Sequence, residues 1–535
     1  MRAPLPPGPT IGPVIRRIVL ATLLAVPSGA VGATAWLPPA AVAPPSRGAG
    51  PPALAGNDAG RAVAAWATRD GVMATLRTPG GPWYSPVRVP GSGRGATDVM
   101  AAMTADGLAA ITWVEGERVR ASIRPARRRF LPAVTISPAG WLATFPRIAF
   151  GLACQPLVAW VAGDARGGSS IRAACGRGDG RFGGTVAVSP AGEPATAPAV
   201  AGGPTGVIVL WREDAGGTYR VRSATRGPIG GFSPPDTVSP PGTAVIEDPS
   251  VALAPNGTSL AGWALTRGGT VVAQAATRPV TGGWTRPDDL SRPAAQVRGT
   301  RVGMDASGNA IATWSRAGVV QVATRSARGD WSAARDLSDP SLTAGPPALA
   351  ASGGGAAVIT WAAATDGTAI VQGSLRPVGG DLIPPVTISD PGRPAIAPQA
   401  AIGDDGIAPV AWQWTDPAAD PLFAPSGIMG ATGLAGSTAP GPALVVDLRA
   451  RPARVRSGQA IRISFGLSAP ARVRITARRV GGTRIAGSLS LGGTDGANSI
   501  VLAGSLGGAS LGRGRWVIGV TPAHGTGRSL ILVVV

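Results

Sequence analysis

The stretch MDASGNAIATW, residues 304–314, decides the fold. Its centre, Asp305 to Asn309, is rich in turn formers, and the apolar run that follows ends on Trp314. The phrase recurs along the chain, ending on Trp66, Trp113, Trp160, Trp211, Trp263, Trp314, Trp361 and Trp412, at intervals of 47, 47, 51, 52, 51, 47 and 51 residues. A glycine stands six residues before the tryptophan in six copies: Gly60, Gly107, Gly257, Gly308, Gly355 and Gly406. Asp106, Asn256 and Asp405 precede three of these glycines and suit the positive φ of a tight hairpin. A period of about 50 residues marks a propeller or a solenoid.

Each tryptophan is followed by a third β-like segment ending in Arg77, Arg124, Arg226, Arg278, Arg325 or Arg376. That arginine comes 11 residues after the tryptophan in the short copies and 15 in the long ones, so the spacing predicts fixed strands and one turn of variable length. Six residues further on an aromatic opens a fourth segment, as at Trp83, Phe130, Phe182, Phe232, Trp284 and Trp331; Leu382 takes that place in the seventh copy. Four short strands per repeat is the blade of a β-propeller. The last repeat lacks a fourth strand, and WLPPAAVA at 36–43 matches the fourth strands FLPAVTIS and LIPPVTIS of other repeats. The reading is therefore an all-β chain with an eight-bladed propeller, closed by an N-terminal strand added to three C-terminal ones. Seven blades and an extra hairpin is the alternative. One tryptophan per blade fills the wide part between neighbouring sheets, while Ala and Gly fill the narrow part.

After about Pro442 the period gives way to strict alternation, as in IRISFGLS, where Ile461, Ile463, Phe465 and Leu467 share a face. Residues 443–535 are expected to form an immunoglobulin-like β-sandwich. The domains are then a signal peptide over 1–35, the propeller over 36–436, a linker over 437–442 and the sandwich. The signal rests on Arg16, Arg17, the apolar run 18–26 and the A-x-A site Ala33-Thr34-Ala35; the general secretory route fits better than twin-arginine export. The expected location is secreted or cell-envelope associated, with no stable membrane span after cleavage.

The formal charge is +20, with 49 basic residues, all of them arginine. Much of the excess falls in the last domain, where Arg472, Arg474 and Arg478 share one face of a strand. That face is either a solvated arginine surface or a contact for an anionic cell-envelope polymer. Nucleic acid is not an expected partner, because no aromatics interleave with these arginines.

The chain's one histidine, His524, excludes a histidine-based triad or a multi-histidine metal site in the propeller. No metal site and no cofactor is expected. Ligand residues are sought where the repeat breaks, on the rim formed by the turns after each tryptophan. The candidates are Glu115, Glu117, Glu213, Asp214, Tyr219, Trp414, Asp416 and Phe423. Cys154 and Cys175 lie where a disulfide across a hairpin or two buried thiols would both fit. The repeated arginine-aromatic pairs read as packing, with arginine stems over rings and heads in solvent.

The phrase DASGNAIATW resembles the Asp-box of sialidase-type propellers, which also combines Asp, Gly and Trp around a turn. Here the order and spacing differ and Tyr84 and Tyr219 are the only tyrosines, so the resemblance implies fold and carries no catalytic role. The arginine-aromatic pairs are similar to those of propeller lectins, and the whole chain resembles exported bacterial propellers with a trailing immunoglobulin-like module. The functional expectation is a non-enzymatic propeller that binds a glycan or protein with one rim. The alternative is a glycoside hydrolase using rim carboxylates.

Overall fold

The computed structural model describes residues 36–152, 154–164, 167–214, 216–240, 244–245, 247–365, 367–416, 425–435, 443–467, 471–494, 496–523 and 525–535. The proposed signal peptide, the linker over 437–442, His524 and Phe423 lie outside them. Among the described residues the chain is all-β, with no helix long and apolar enough to cross a membrane.

Residues 36–434 form eight antiparallel sheets of four or five strands, each built on one repeat. In the second sheet the strands are Thr97–Met103, Ala109–Glu115, Arg118–Arg124 and Val134–Thr135, in that order from the inside outward. The innermost strands touch one another in chain order, and the last, Ala395–Ala400, touches the first, Ala53–Gly56. A propeller-like ring results. The sheet that closes it holds Ala395–Ala400, Ile407–Thr415, Pro425–Leu434 and, outermost, the N-terminal strand Trp36–Ala41, with Trp36 opposite Gly433 and Leu37 opposite Thr432. This pairing is the one expected of residues 36–43, and it removes an open edge on Pro425–Leu434.

All eight repeat tryptophans are at most 2% exposed. Each packs back onto the preceding sheet: Trp113 meets Val63 and Val72, Trp314 meets Leu260 and Ala273, and Trp66 meets Ala411 and Ile428 of the closing sheet. Truncating one to alanine removes a side chain of this size from a dry contact and costs about 3–5 kcal/mol. A second repeated element was not anticipated. Ser92, Ser137, Ser189, Ser239, Ser291, Ser338 and Ser389 each accept a backbone N–H from the third strand of their own sheet, at 2.8–3.1 Å.

Two expectations are corrected. In the fifth and seventh sheets the four extra residues do not lengthen the turn; they extend the ladder by two residues on each side, so that Arg267 pairs with Thr270 across a two-residue turn. An even insertion keeps every side chain on its original face, so a longer hairpin costs no core contact. The arginine heads do not all reach solvent either. Arg226 donates to Cys175 Sγ at 3.0 Å, Arg278 pairs with Asp236 at 3.8 Å, and Arg325 donates to Thr277 Oγ1 at 2.8 Å while lying over the Trp331 ring. Each reaches the preceding sheet, so these residues tie sheet to sheet.

Residues 443–535 form a four-stranded and a five-stranded sheet around one core, with a small two-stranded sheet of Ser505–Leu506 and Ala509–Ser510 beside them. The four-stranded sheet holds Gly496–Ala503, Ala460–Leu467, Ala443–Arg451 and Gly525–Thr526; the five-stranded one is centred on Gly514–Pro522 and Ala471–Arg479. Ile461, Ile463, Phe465 and Leu467 are buried against Ile475, Trp516 and Ile518, as the alternation requires. The unit abuts the ring at its closure, where Val446 is buried with Leu37, Ile407 and Leu434, and Asp447 N–H donates to Gly80 O at 2.8 Å. Gly80 has φ 59°, and a Cβ there would come within 2.7 Å of Val446 Cγ1.

Candidate functional site

The turns between second and third strands gather on one face of the ring. Glu115 does not extend from that face: its carboxylate accepts from Gly93 N–H at 2.8 Å, Trp113 Nε1 at 3.0 Å and Arg120 Nη1 at 2.6 Å. These donors hold it below the usual carboxylate range, against the opposing effect of burial. Glu213, two residues after Trp211 as Glu115 is after Trp113, is 0% exposed and pairs with Arg220 at 2.6 Å. Burial pushes its carboxyl above the ordinary value. Glu117 is exposed at φ 61° in its two-residue turn. Asp214 caps its own turn by accepting Gly217 N–H at 2.8 Å. Tyr219 is 37% exposed beneath the Arg212 guanidinium. Trp414 is 8% exposed, packed in the core beside Trp412 with Arg393 over its ring, and Asp416 is partly exposed at the end of that hairpin. The structure therefore spreads these residues over separate sheets, with Glu115, Glu213 and Trp414 engaged in packing.

A cleft of about 870 Å³ lies on the same side, at the seam where the ring closes. One wall is the connection Val42-Ala43-Pro44-Pro45, which leaves the closing strand and enters the first sheet. The other wall is Trp66, Met73, Trp83 and Tyr84. Thr68, Arg69 and Asp70 of the first turn stand at one end. Pro44 and Pro45 have no N–H to donate, while on either side of them Val42 and Ala43 donate to Ile428 O and Ser46–Arg47 pairs with the closing sheet, which holds the connection there.

The residue opposite the repeat tryptophan explains why the wall is apolar here. It is Arg120, Arg172, Arg222, Gln274, Gln321 or Gln372 in the second to seventh sheets, but Met73 in the first and Met429 in the eighth. In the sixth and seventh sheets the glutamine Oε1 accepts the indole N–H at 3.0 and 2.9 Å. Met73 offers an apolar thioether in place of these polar groups, and the exposed aromatic surface of the wall is that of Tyr84 rather than of the buried Trp66. Tyr84 is 54% exposed, with its backbone fixed by Thr75 Oγ1, which donates to Tyr84 O at 2.6 Å. Indole and phenol faces beside hydroxyl, guanidinium and carboxylate groups can stack on the C–H face of a sugar ring and bond its hydroxyls. The sequence carried no distinct signal for this wall, since proline follows other fourth strands at Pro138, Pro190 and Pro240 and a methionine also stands opposite Trp412, at Met429. Among the described residues no group of three His, Cys, Asp or Glu could hold a metal.

Cys154 and Cys175 are joined in a disulfide that ties the second and third strands of the third sheet.

No protein-family model matches the chain, and no curated protein matches it. Similar solved structures include the BP39L lectin from Burkholderia pseudomallei, with 16% identity and a TM-score of 0.46 over 63% of this chain and 98% of that one. The WD40 domain of SCAP from fission yeast has 9% identity and a TM-score of 0.44, covering 75% of this chain and 98% of that one. The polysaccharide lyase Uly1 has 10% identity and a TM-score of 0.42, covering 62% and 90%. At this level the likeness is one of all-β architecture and says nothing of a ligand.

Proposed function

We propose that the chain is an exported, non-enzymatic, eight-bladed propeller that binds a glycan in the seam cleft. An immunoglobulin-like sandwich follows, and its arginine face associates with an anionic envelope polymer. The observation that carries the reading is the wall of Trp66, Met73, Trp83 and Tyr84 with polar groups at one end. Glycoside hydrolysis by two carboxylates is less well supported there, because among the described residues Asp70 is the one carboxylate lining the cleft. For the second part, Arg472 and Arg474 are exposed and Arg478 is half-buried on the outer side of Ala471–Arg479, with Arg478 Nη1 also donating to Gly482 O at 2.9 Å.

A glycan array paired with a fluorogenic glycoside screen tests the first part. Binding without turnover, lost in Trp83→Ala and Tyr84→Ala, is expected. Undiminished binding in both variants removes the cleft, turnover removes the non-enzymatic reading, and capture of a protein alone replaces the glycan. For the second part, retention on an anionic polymer should fall with salt and in R472S/R474S/R478S; salt-independent retention removes it.

A further inference from the structure

We propose a second binding site at the mouth of the ring's central channel, which takes a carboxylate group carried by its ligand, as in a uronic acid. It is separate from the seam cleft and does not depend on it.

On each innermost strand one position pairs with the residue just before the repeat tryptophan. That position is alanine in three sheets, Ala53, Ala199 and Ala348. Met100, Ser250 and Gln399 occupy it in three more. The third and sixth sheets place Arg147 and Arg301 there. An arginine has no packing role at a position that alanine satisfies elsewhere in the ring, and two of them converge on one cavity of about 550 Å³.

The cavity opens on the face that carries the turns after the tryptophans, because its wall also includes Asp248, Pro249 and Pro346 from connections entering the innermost strands. Both arginines follow a break in strand register. Phe145, two residues before Arg147, has φ 50°, and Gly299, two before Arg301, has φ 65°. The second bulge is held from the fifth sheet: Glu247 accepts Gly299 N–H, and Ser250 Oγ accepts Val302 N–H at 3.1 Å. A Cβ on Gly299 would lie 2.6 Å from Pro346 Cβ, so the bend that places Arg301 depends on glycine.

The guanidinium groups are under-partnered. Arg147 Nη2 lies 3.6 Å from Asp248 and Arg147 Nη1 donates to Pro146 O at 3.1 Å. Arg301 has no ion pair among the described residues; its Nη1 donates to the neighbouring Thr300 O at 3.1 Å. Burial pulls both arginines below their ordinary value; Asp248 opposes this at both and Glu247 at Arg301, while Arg301 adds to it at Arg147. Asp248 in the wall offsets part of this positive charge, and the guanidinium N–H groups it leaves unbonded form a fork that matches a planar carboxylate.

The test is calorimetric titration of the full-length protein with glucuronate, its methyl ester, glucose and a short peptide ending in a free carboxylate. Glucuronate should bind, and the uncharged ester and glucose should bind at least about tenfold more weakly, a difference of about 1.4 kcal/mol. Equal binding by ester and acid, or no binding of any carboxylate, overturns the proposal without reference to a variant. R147Q and R301Q should each weaken glucuronate about tenfold; unchanged affinity in the R147Q/R301Q pair also overturns it. Preference for the peptide over glucuronate keeps the carboxylate site and makes its ligand a chain terminus. A neutral glycan held in the seam cleft should not displace glucuronate, and mutual displacement would merge the two sites and sink this one.

Discussion

Arg77 and Asp447 form an ion pair at 3.4 Å across the junction of ring and C-terminal unit, with the arginine side chain 1% exposed. Arg77 is the tie arginine of the first sheet. Its Nε also donates to Gly81 O at 2.6 Å and its Nη1 to Thr432 Oγ1 at 2.7 Å. One guanidinium therefore fastens the first sheet, the closing sheet and the second unit. R77A should cost about 3–5 kcal/mol, because it removes a buried guanidinium that three segments share and leaves Asp447, with little solvent, only Arg449 at 3.9 Å as an ion-pair partner among the described residues. A double-mutant cycle with D447A, read by chemical denaturation, checks this. Additive losses would show that the two residues do not act together.

Ser338 and Ser389 act as backbone acceptors. Ser338→Ala leaves Val320 N–H without its 2.9 Å partner in a buried setting and should destabilise by about 1–3 kcal/mol. Ser389→Ala should do the same through Val371 N–H. Thermal melts of both variants measure it, and losses comparable to those at exposed serines would refute it.

The indoles are alike in burial but differ in bonding. Trp314 Nε1 donates to Gln321, whereas Trp263 Nε1 has no hydrogen-bond partner among the described residues. Trp314→Phe should thus be more destabilising than Trp263→Phe by about 1 kcal/mol, since it alone strands a buried amide oxygen. Denaturant titration of the two variants gives the difference.

Reducing the Cys154–Cys175 bond, which spans 21 residues, should lower stability by about 3 kcal/mol if the loss is the chain entropy of the unfolded state. Denaturation with and without reductant reads this, alongside a mass gain of two hydrogens.

Burial raises the Asp405 carboxyl above its ordinary value, with Asp404 adding to the effect and the Ile407 N–H and Arg77 opposing it. A raised folded value means that the protonated form is favoured on folding. The associated stability is full below the unfolded carboxylate value and is lost as pH rises through the folded one. D405N mimics the protonated form and keeps an oxygen for Ile407 N–H. It should gain over wild type in melting temperature at neutral pH, and that gain should shrink as pH falls into the carboxylate range. A pH-independent difference would assign the effect to packing.

Much of the fold was legible because periodicity is a local property. The tryptophan interval marked the sheets, and the likeness of residues 36–43 to other fourth strands marked how the ring closes. The strict alternation at 461–467 marked the buried face of the second unit. The arginine ties were misread because a strand-end arginine looks the same whether its head meets water or the next sheet. Glu115, Glu213 and Trp414 interrupt the repeat as ligand residues do, yet the fold turns all three toward internal partners. The seam cleft was hidden because its walls are about 25 to 40 residues apart in the chain, and only closure brings Pro44 beside Trp66 and Tyr84.

The amino-acid order alone determined the repeating sheet, its buried tryptophan and the strand that closes the ring, because each follows from side-chain period and turn chemistry within one repeat. Tertiary structure alone decided which charged groups face one another. Arg147 and Arg301 are 154 positions apart in the chain and share a cavity only because eight sheets curve round a common axis. Burial and electrostatic pairing depend on distance in space, which a repeat pattern does not encode.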